Sequence, residues 1–408
     1  VQGIPAGAYV HAVRQDTKNR NLLFAGTELG IYVSFNDGAQ WQPVQLNLPR
    51  TPITDLLIKD NDLAVSTNGR AFWILDDIAP LRAMKPELTT ADFALYESSP
   101  IHRQYFPEEV DKRRPVGENP EPGALVNYYL KNDVTDEITL EITDSDGKPV
   151  RRYSSKEKKE KNEQPPEWPD REKPAELLPT KAGMNRFPWN LRYESPLDLP
   201  GAFYAGNGPE GPVALPGTYN LKMTVAGKSQ TTSVEVLPDP REKASVDDLR
   251  KQYELSTQVA NRITDLHRTL LQMRDVHGQM KQMESNLSRG KQDKGDRNKA
   301  VIEAMHDFDK RMLAIEGQLM QTKMKSSEGN LRYPNMLNEE FDSFSHTIEN
   351  DAAPTRSMTQ VFEILSKRLD TQLAAWRELV TVQLPALNEK IKTTDATSIT
   401  LGNEKGAE

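Results

Sequence analysis

The chain has 408 residues, 36% of them hydrophobic, and carries a formal net charge of −8 at pH 7. That length favours two or three domains, and the acidic balance argues against general nucleic-acid binding, which needs a basic surface. With no cysteine in the sequence, a disulfide framework, a thiolate nucleophile and a cysteine–zinc site are excluded.

No apolar run approaches the length needed to span a membrane. The chain opens Val1-Gln2-Gly3-Ile4, without an initiator methionine or a signal peptide, as expected of the C-terminal part of a longer protein.

Residues 1–90 read as two repeats of short strands. In the first, strands at Tyr9–Arg14, Leu22–Thr27 and Gly30–Phe35 are separated by polar turn residues. The third runs into Ser34-Phe35-Asn36-Asp37-Gly38-Ala39-Gln40-Trp41. Asn36 and Asp37 hold a bend by bonding their own backbone, Gly38 accepts a positive φ, and Trp41 brings a large apolar area beside the hairpin. The second repeat has strands at Ile53–Lys59, Asp62–Thr67 and Ala71–Asp76, with turns at Asp60-Asn61 and Asn68-Gly69. Three or four short strands at this spacing describe one blade of a β-propeller, and two blades make no closed ring.

The Ser34–Trp41 turn resembles the Asp-box (S-x-D-x-G-x-x-W) of sialidase-like and sortilin-like propellers, with Asn36 where those families have Asp. GTELGIYVSFNDGAQWQPVQLNLP followed by DLAVSTNGRAFWILDDIAPL is similar to the end of the propeller in large bacterial exported proteins of the sortilin-like, BNR/Asp-box group, often labelled glycosyl hydrolase-like. The resemblance is close over the first 90 residues and looser beyond. It implies a periplasmic or extracellular protein, with further blades upstream in the same parent chain.

Residues 91–240 carry short alternating strands. Ile138, Leu140 and Ile142 share one face of one strand; Tyr219, Leu221, Met223 and Val225 share one face of another. Pro188 within Asn185–Arg192 marks an edge strand or a bulge. Six or seven such strands suggest an immunoglobulin-like β-sandwich. A lysine- and glutamate-rich, proline-rich stretch near 156–180 reads as a disordered, solvated loop.

Residues 241–408 read as an antiparallel helical bundle. Ser245 is the N-cap of a long helix whose seam runs through Leu249, Tyr253, Ser256, Ala260, Ile263, Leu266, Leu270, Met273, His277, Met280, Glu284 and Leu287. A second helix runs through Val301–Leu319, a third opens after Pro334, and a fourth starts at Thr355 and is bent or ended by Pro385. From Thr393 the polar tail is expected to fray.

Chemistry is sparsely signalled. A glycosidase needs two carboxylates across the scissile bond, and the candidates are Glu28, Asp76 and Asp77, with Arg70 and Trp73 as binding residues. Adjacent on a strand end, Asp76 and Asp77 point to opposite faces, and a structural role capping the strand and pairing with Arg70 competes with the catalytic one. His267, His277 and His306 are read as boundary residues of the helices rather than metal ligands, and the methionines of the first two helices as adaptable core packing. No cofactor or metal is expected. The function read from the sequence is an exported binding module for a protein or glycan ligand, its Asp-box structural. The alternative is part of a glycoside hydrolase-like enzyme acting on polysaccharide.

Overall fold

The structure, a computed structural model, describes residues 2–84, 91–104, 117, 119–156, 176–206, 208–288, 295–394 and 396–402. The solvated loop expected near 156–180 lies mostly outside them. The chain is β-rich as far as Leu237 and helical from Val246. It divides into two compact units: Val1–Lys158, Ala175–Leu191 and Pro216–Glu242 belong to the first, Arg192–Leu215 and Lys243–Glu408 to the second.

The first unit begins with two antiparallel meanders. Strands β1 (Val10–Gln15), β2 (Leu23–Thr27), β3 (Gly30–Ser34) and β4 (Gln42–Pro43) form one sheet in chain order; β5 (Ile53–Lys59), β6 (Asp62–Thr67) and β7 (Phe72–Leu75) form the next. The period-two alternation of β5 and β6 decides how they meet. Leu56, Leu63 and Val65 are buried in one cluster with Ala12, Phe24, Ile31 and Val33 of the first sheet. The closest approach is at Gly26, where an added Cβ would lie 2.6 Å from Ile53 Cγ2. The opposite face of the second sheet is apolar and open. Leu57, Ala64 and Ile74 are cross-strand neighbours, with Leu57 59% and Ile74 62% exposed and Phe72 on the same edge strand at 83%.

After a short helix α1 (Ala79–Ala83), two further sheets follow. One has the order β13 (Gly183–Trp189), β10 (Ala124–Leu130), β8 (Phe93–Leu95). The other runs β12 (Pro149–Ser154), β11 (Thr139–Thr143), β14 (Gly217–Val225), β15 (Lys228–Leu237), β9 (Ile101–His102), with β9 parallel to β15. The sheets face each other through edge-on aromatic pairs, Tyr153 with Phe187 at 4.7 Å and Trp189 with Tyr219 at 5.1 Å between ring centroids. Pro188 stands in the outermost strand of its sheet, where the missing N–H is tolerated.

In the second unit α2 (Val246–Ser288), α3 (Gly295–Leu319), α4 (Leu337–Thr347), α5 (Arg356–Glu378) and α6 (Leu384–Ile391) enclose one apolar core. The Ser245 hydroxyl accepts the Asp248 N–H while the Asp248 carboxylate accepts the Ser245 N–H, a reciprocal cap that starts α2. The buried stripe of α2 differs from the expected seam. Leu255, Val259, Val276 and Met283 are buried, whereas Tyr253, Ser256, Ala260, His277, Glu284 and Leu287 are only half-buried. The helix packs against α3, α4 and α5 at once, so it needs a broader apolar band than a two-helix seam. A π-type turn at Leu379–Gln383 precedes α6, whose first turn holds Pro385; this places the expected bend.

Two expectations are overturned here. The tail is not frayed at 396–402. Ile399 is 2% exposed in the helical core, and Asn388 clasps its backbone at both N–H and carbonyl. The stretch Arg192–Leu215, read with the sandwich, is instead built into the helical unit, where Leu199 is buried in the core.

Candidate functional site

The Ser34–Trp41 turn closes on its own side chains. Ser34 Oγ accepts the Gly38 N–H at 2.9 Å and donates to Asn36 Oδ1 at 3.0 Å, which also accepts the Gln40 N–H at 2.9 Å. The Trp41 indole N–H donates to the Gly38 carbonyl at 3.0 Å. Asp37 and Gly38 both have positive φ, 55° and 84°, the αL pair that such a bend requires. The Ser34 hydroxyl, the Asn36 side-chain oxygen and the Trp41 indole N–H are thus all committed to holding the hairpin.

The β6–β7 turn repeats the device without the motif. Thr67 Oγ1 accepts the Arg70 N–H, and the Trp73 indole N–H donates to the Arg70 carbonyl at 2.7 Å. Trp73 packs on the core between the meanders, while Arg70 is exposed.

The carboxylates are dispersed. Glu28 is exposed and bonds His11 at 2.8 Å. Asp77 is 8% exposed and has φ 52°. Its carboxylate accepts from Ser99 Oγ at 2.7 Å, Asn127 Nδ2 at 3.3 Å and the Ala79 N–H at 3.2 Å. Arg186 completes the junction, donating to Asn127 Oδ1 and to the Asp76 and Asp77 carbonyls. Neither Asp76 nor Asp77 pairs with Arg70, so the expected ion pair is replaced by a buried network joining the end of β7 to β10 and β13. The Asp76 carboxyl is raised above its ordinary value, by burial first and then by the negative charge of Asp62.

The sequence reading missed the pair that anchors the meanders. Arg82 forks onto Asp16, with Nε 3.0 Å from both carboxylate oxygens and Nη2 2.8 Å from Oδ1; the Asp16 side chain is fully buried. Burial alone pushes this carboxyl up. Hydrogen bonds from Arg82 and from the Asn19 and Lys18 N–H groups outweigh it and leave Asp16 below its ordinary value.

In the helical unit each histidine has its own partner. His267 is buried against the Leu197 carbonyl at 2.5 Å and Asn338 Oδ1 at 2.7 Å. His277 pairs with Asp309 at 2.6 Å and His306 with Glu284 at 2.9 Å. Met273, Met280, Met283, Met305, Met312 and Met320 lie in the core. Among the described residues no group of three or more histidines and carboxylates is placed to hold a metal ion, and no helix is long and apolar enough to cross a membrane.

No family model matches this chain, and no curated protein matches it. Among solved structures it is similar to the extracellular domain of a hybrid two-component system from B. thetaiotaomicron, at 10% identity and a TM-score of 0.15. That match covers 57% of this chain and 26% of the other.

Proposed function

We propose that the chain is a binding module of the exported, sortilin-like Asp-box type, non-catalytic in the residues described. On this reading the two meanders are propeller blades, the paired sheets an immunoglobulin-like accessory domain, and the ligand a protein or a glycan. The observation that carries it is the self-satisfied Ser34–Trp41 turn on a four-stranded meander stacked face to face on a second one. The open apolar row Leu57–Ala64–Ile74, with Phe72, supports further blades seated on that face. The carboxylates weigh against hydrolysis, because Glu28 and Asp77 are engaged in separate local contacts.

The test is turnover of plant and bacterial polysaccharides by the purified chain, alongside a binding screen on glycan and protein arrays. Binding without turnover is expected, unchanged in Asp77→Asn. A second reading, part of a glycoside hydrolase-like enzyme, is favoured by the upward shift of the Asp76 carboxyl, the direction a general acid needs. Turnover that disappears in Asp76→Asn or Glu28→Gln would establish that reading and overturn the first.

A further inference from the structure

The β6–β7 turn carries the pair Asn68-Gly69, and both residues are exposed. The backbone of Asn68 is anchored on two sides. Its N–H donates to the Pro52 carbonyl at 2.9 Å, and its carbonyl accepts the Thr51 hydroxyl at 3.0 Å. Two neighbouring groups are left over. Among the described residues, neither the Asn68 side-chain amide nor the Gly69 N–H has a hydrogen-bond partner. An added Cβ at Gly69 would meet nothing within 4 Å, so the turn is open there to water and to a moving side chain.

Two comparable turns differ. In Asp37-Gly38 the Gly38 N–H donates to Ser34 Oγ at 2.9 Å, and in Asp146-Gly147 the Gly147 N–H donates to the Asp144 carbonyl at 3.0 Å. A glycine nitrogen engaged in this way must give up a bond before it can attack a neighbour; that of Gly69 need not. A second Asn-Gly pair, at 207–208, has its asparagine outside the described residues.

We propose that Asn68 is a site of self-modification, where the chain deamidates without an enzyme. The Gly69 nitrogen gives its proton to hydroxide and attacks Asn68 Cγ. The new N–C bond closes a succinimide ring, the Cγ–Nδ2 bond breaks, and the leaving nitrogen takes a proton from water to depart as ammonia. Water then opens the ring. Opening at Cγ leaves an aspartate; opening at the Asn68 carbonyl carbon leaves an isoaspartate, with the backbone routed through the side chain. The net exchange is one water in and one ammonia out, with no oxidant or reductant.

Thr51 assists this step. Its hydroxyl, bonded to the Asn68 carbonyl oxygen, stabilises the charge that the peptide takes on when the Gly69 nitrogen loses its proton. Either product sets a new carboxylate at the head of β7, ahead of the exposed Phe72 and Ile74.

The experiment is peptide mapping by mass spectrometry on the full chain after incubation at 37 °C, at pH 6.5 and pH 8.5, with isoaspartate read by enzymatic methylation. The peptide holding Asn68 is expected to gain the mass of an amide-to-acid change and to contain isoaspartate. The conversion is expected to run faster at pH 8.5, because the attacking nitrogen must be deprotonated. Asn68→Gln is expected to abolish both signals. Asp37→Asn and Asp146→Asn plant the same dipeptide where the glycine N–H is engaged. Those sites are expected to react about tenfold more slowly than Asn68 in the folded chain, and to match it in urea. An unmodified Asn68 in the folded chain overturns the proposal, as does folded-state reaction at Asp37→Asn and Asp146→Asn as fast as at Asn68.

Discussion

Asn36 uses its side-chain oxygen twice in the Ser34–Trp41 turn, and its amide nitrogen donates to no described group. Asn36→Asp would keep both acceptor roles and make them charge-assisted, which strengthens a hydrogen bond. The position is exposed, so the gain is expected to be modest, about 0.5 kcal/mol. The new carboxylate, stabilised by its donors, has a folded pKa below the ordinary value near 3.9. The gain is thus present above that value and lost as pH falls through the folded one. Urea unfolding of both chains at pH 7 and pH 3 checks this; greater stability of the asparagine chain at pH 7 would contradict it.

The buried Asp16–Arg82 fork makes a larger demand. Arg82→Ala leaves a buried carboxylate without its cation, and the loss is expected to be about 3 kcal/mol. Because the Asp16 carboxyl is lowered on folding, its contribution is present above the ordinary carboxylate value and disappears as pH falls through the lowered one. The two chains are therefore expected to converge in stability on strong acidification, which a pH series of denaturant melts would show. The Ser34–Trp41 turn was legible in the sequence because the side-chain bonds of Ser34, Asn36 and Trp41 all close within eight residues. Asp16 meets Arg82 across 66 positions, Asp77 meets Asn127 across 50 and Arg186 reaches Asp76 across 110. No local pattern signals such pairs, since charged residues at strand ends read the same whether solvated or buried.

At the scale of elements, Gly26 sets the spacing of the two meanders. A methyl group there would meet Ile53 Cγ2 at 2.6 Å in a fully buried layer, where overpacking typically costs 1–3 kcal/mol. Gly26→Ala is expected to destabilise by about 2 kcal/mol. Ile53→Ala removes the Cγ2 methyl that the added carbon would meet, so the double variant is expected to lose less than the two single losses added together. A double-variant cycle from thermal or urea melts measures this coupling, and strict additivity would mean that the sheets do not touch there.

Strands were legible wherever one face is buried and the other open. The row Leu57–Ala64–Ile74 broke that rule, because hydrophobicity read in sequence does not say which of two apolar faces is covered. The breadth of the α2 stripe was hidden for the same reason. A seam chosen for one partner helix misses Leu255, Val259 and Val276, which are buried in a helix packed against three others.

For the molecule as a whole the instructive stretch is Arg192–Leu215. Its four prolines, Pro196, Pro200, Pro209 and Pro212, and its lack of periodicity leave it without a strand or helix signal of its own, yet it supplies working parts of the helical unit. Leu199 is buried among the helices. The Leu197 carbonyl and the Tyr204 hydroxyl are partners of the buried His267, and the Pro200 carbonyl accepts from Arg274. A helical pattern announces its own apolar stripe but not the irregular chain that completes it. Replacing residues 197–204 by a flexible glycine–serine segment of equal length would remove these partners together. Each buried polar group left alone costs about 1–3 kcal/mol, and a buried leucine side chain is worth about 2 kcal/mol. Against a stability of roughly 5–15 kcal/mol for a typical domain, the combined loss is expected to lower the helical melting transition sharply or abolish its cooperativity, while the β-rich unit keeps its own. Circular dichroism followed on heating, with Tyr204→Phe as the mild comparison, distinguishes the outcomes. An unchanged helical transition would mean that the bundle is complete without the excursion, and that the chain between β13 and β14 only drapes over a core formed by α2–α6.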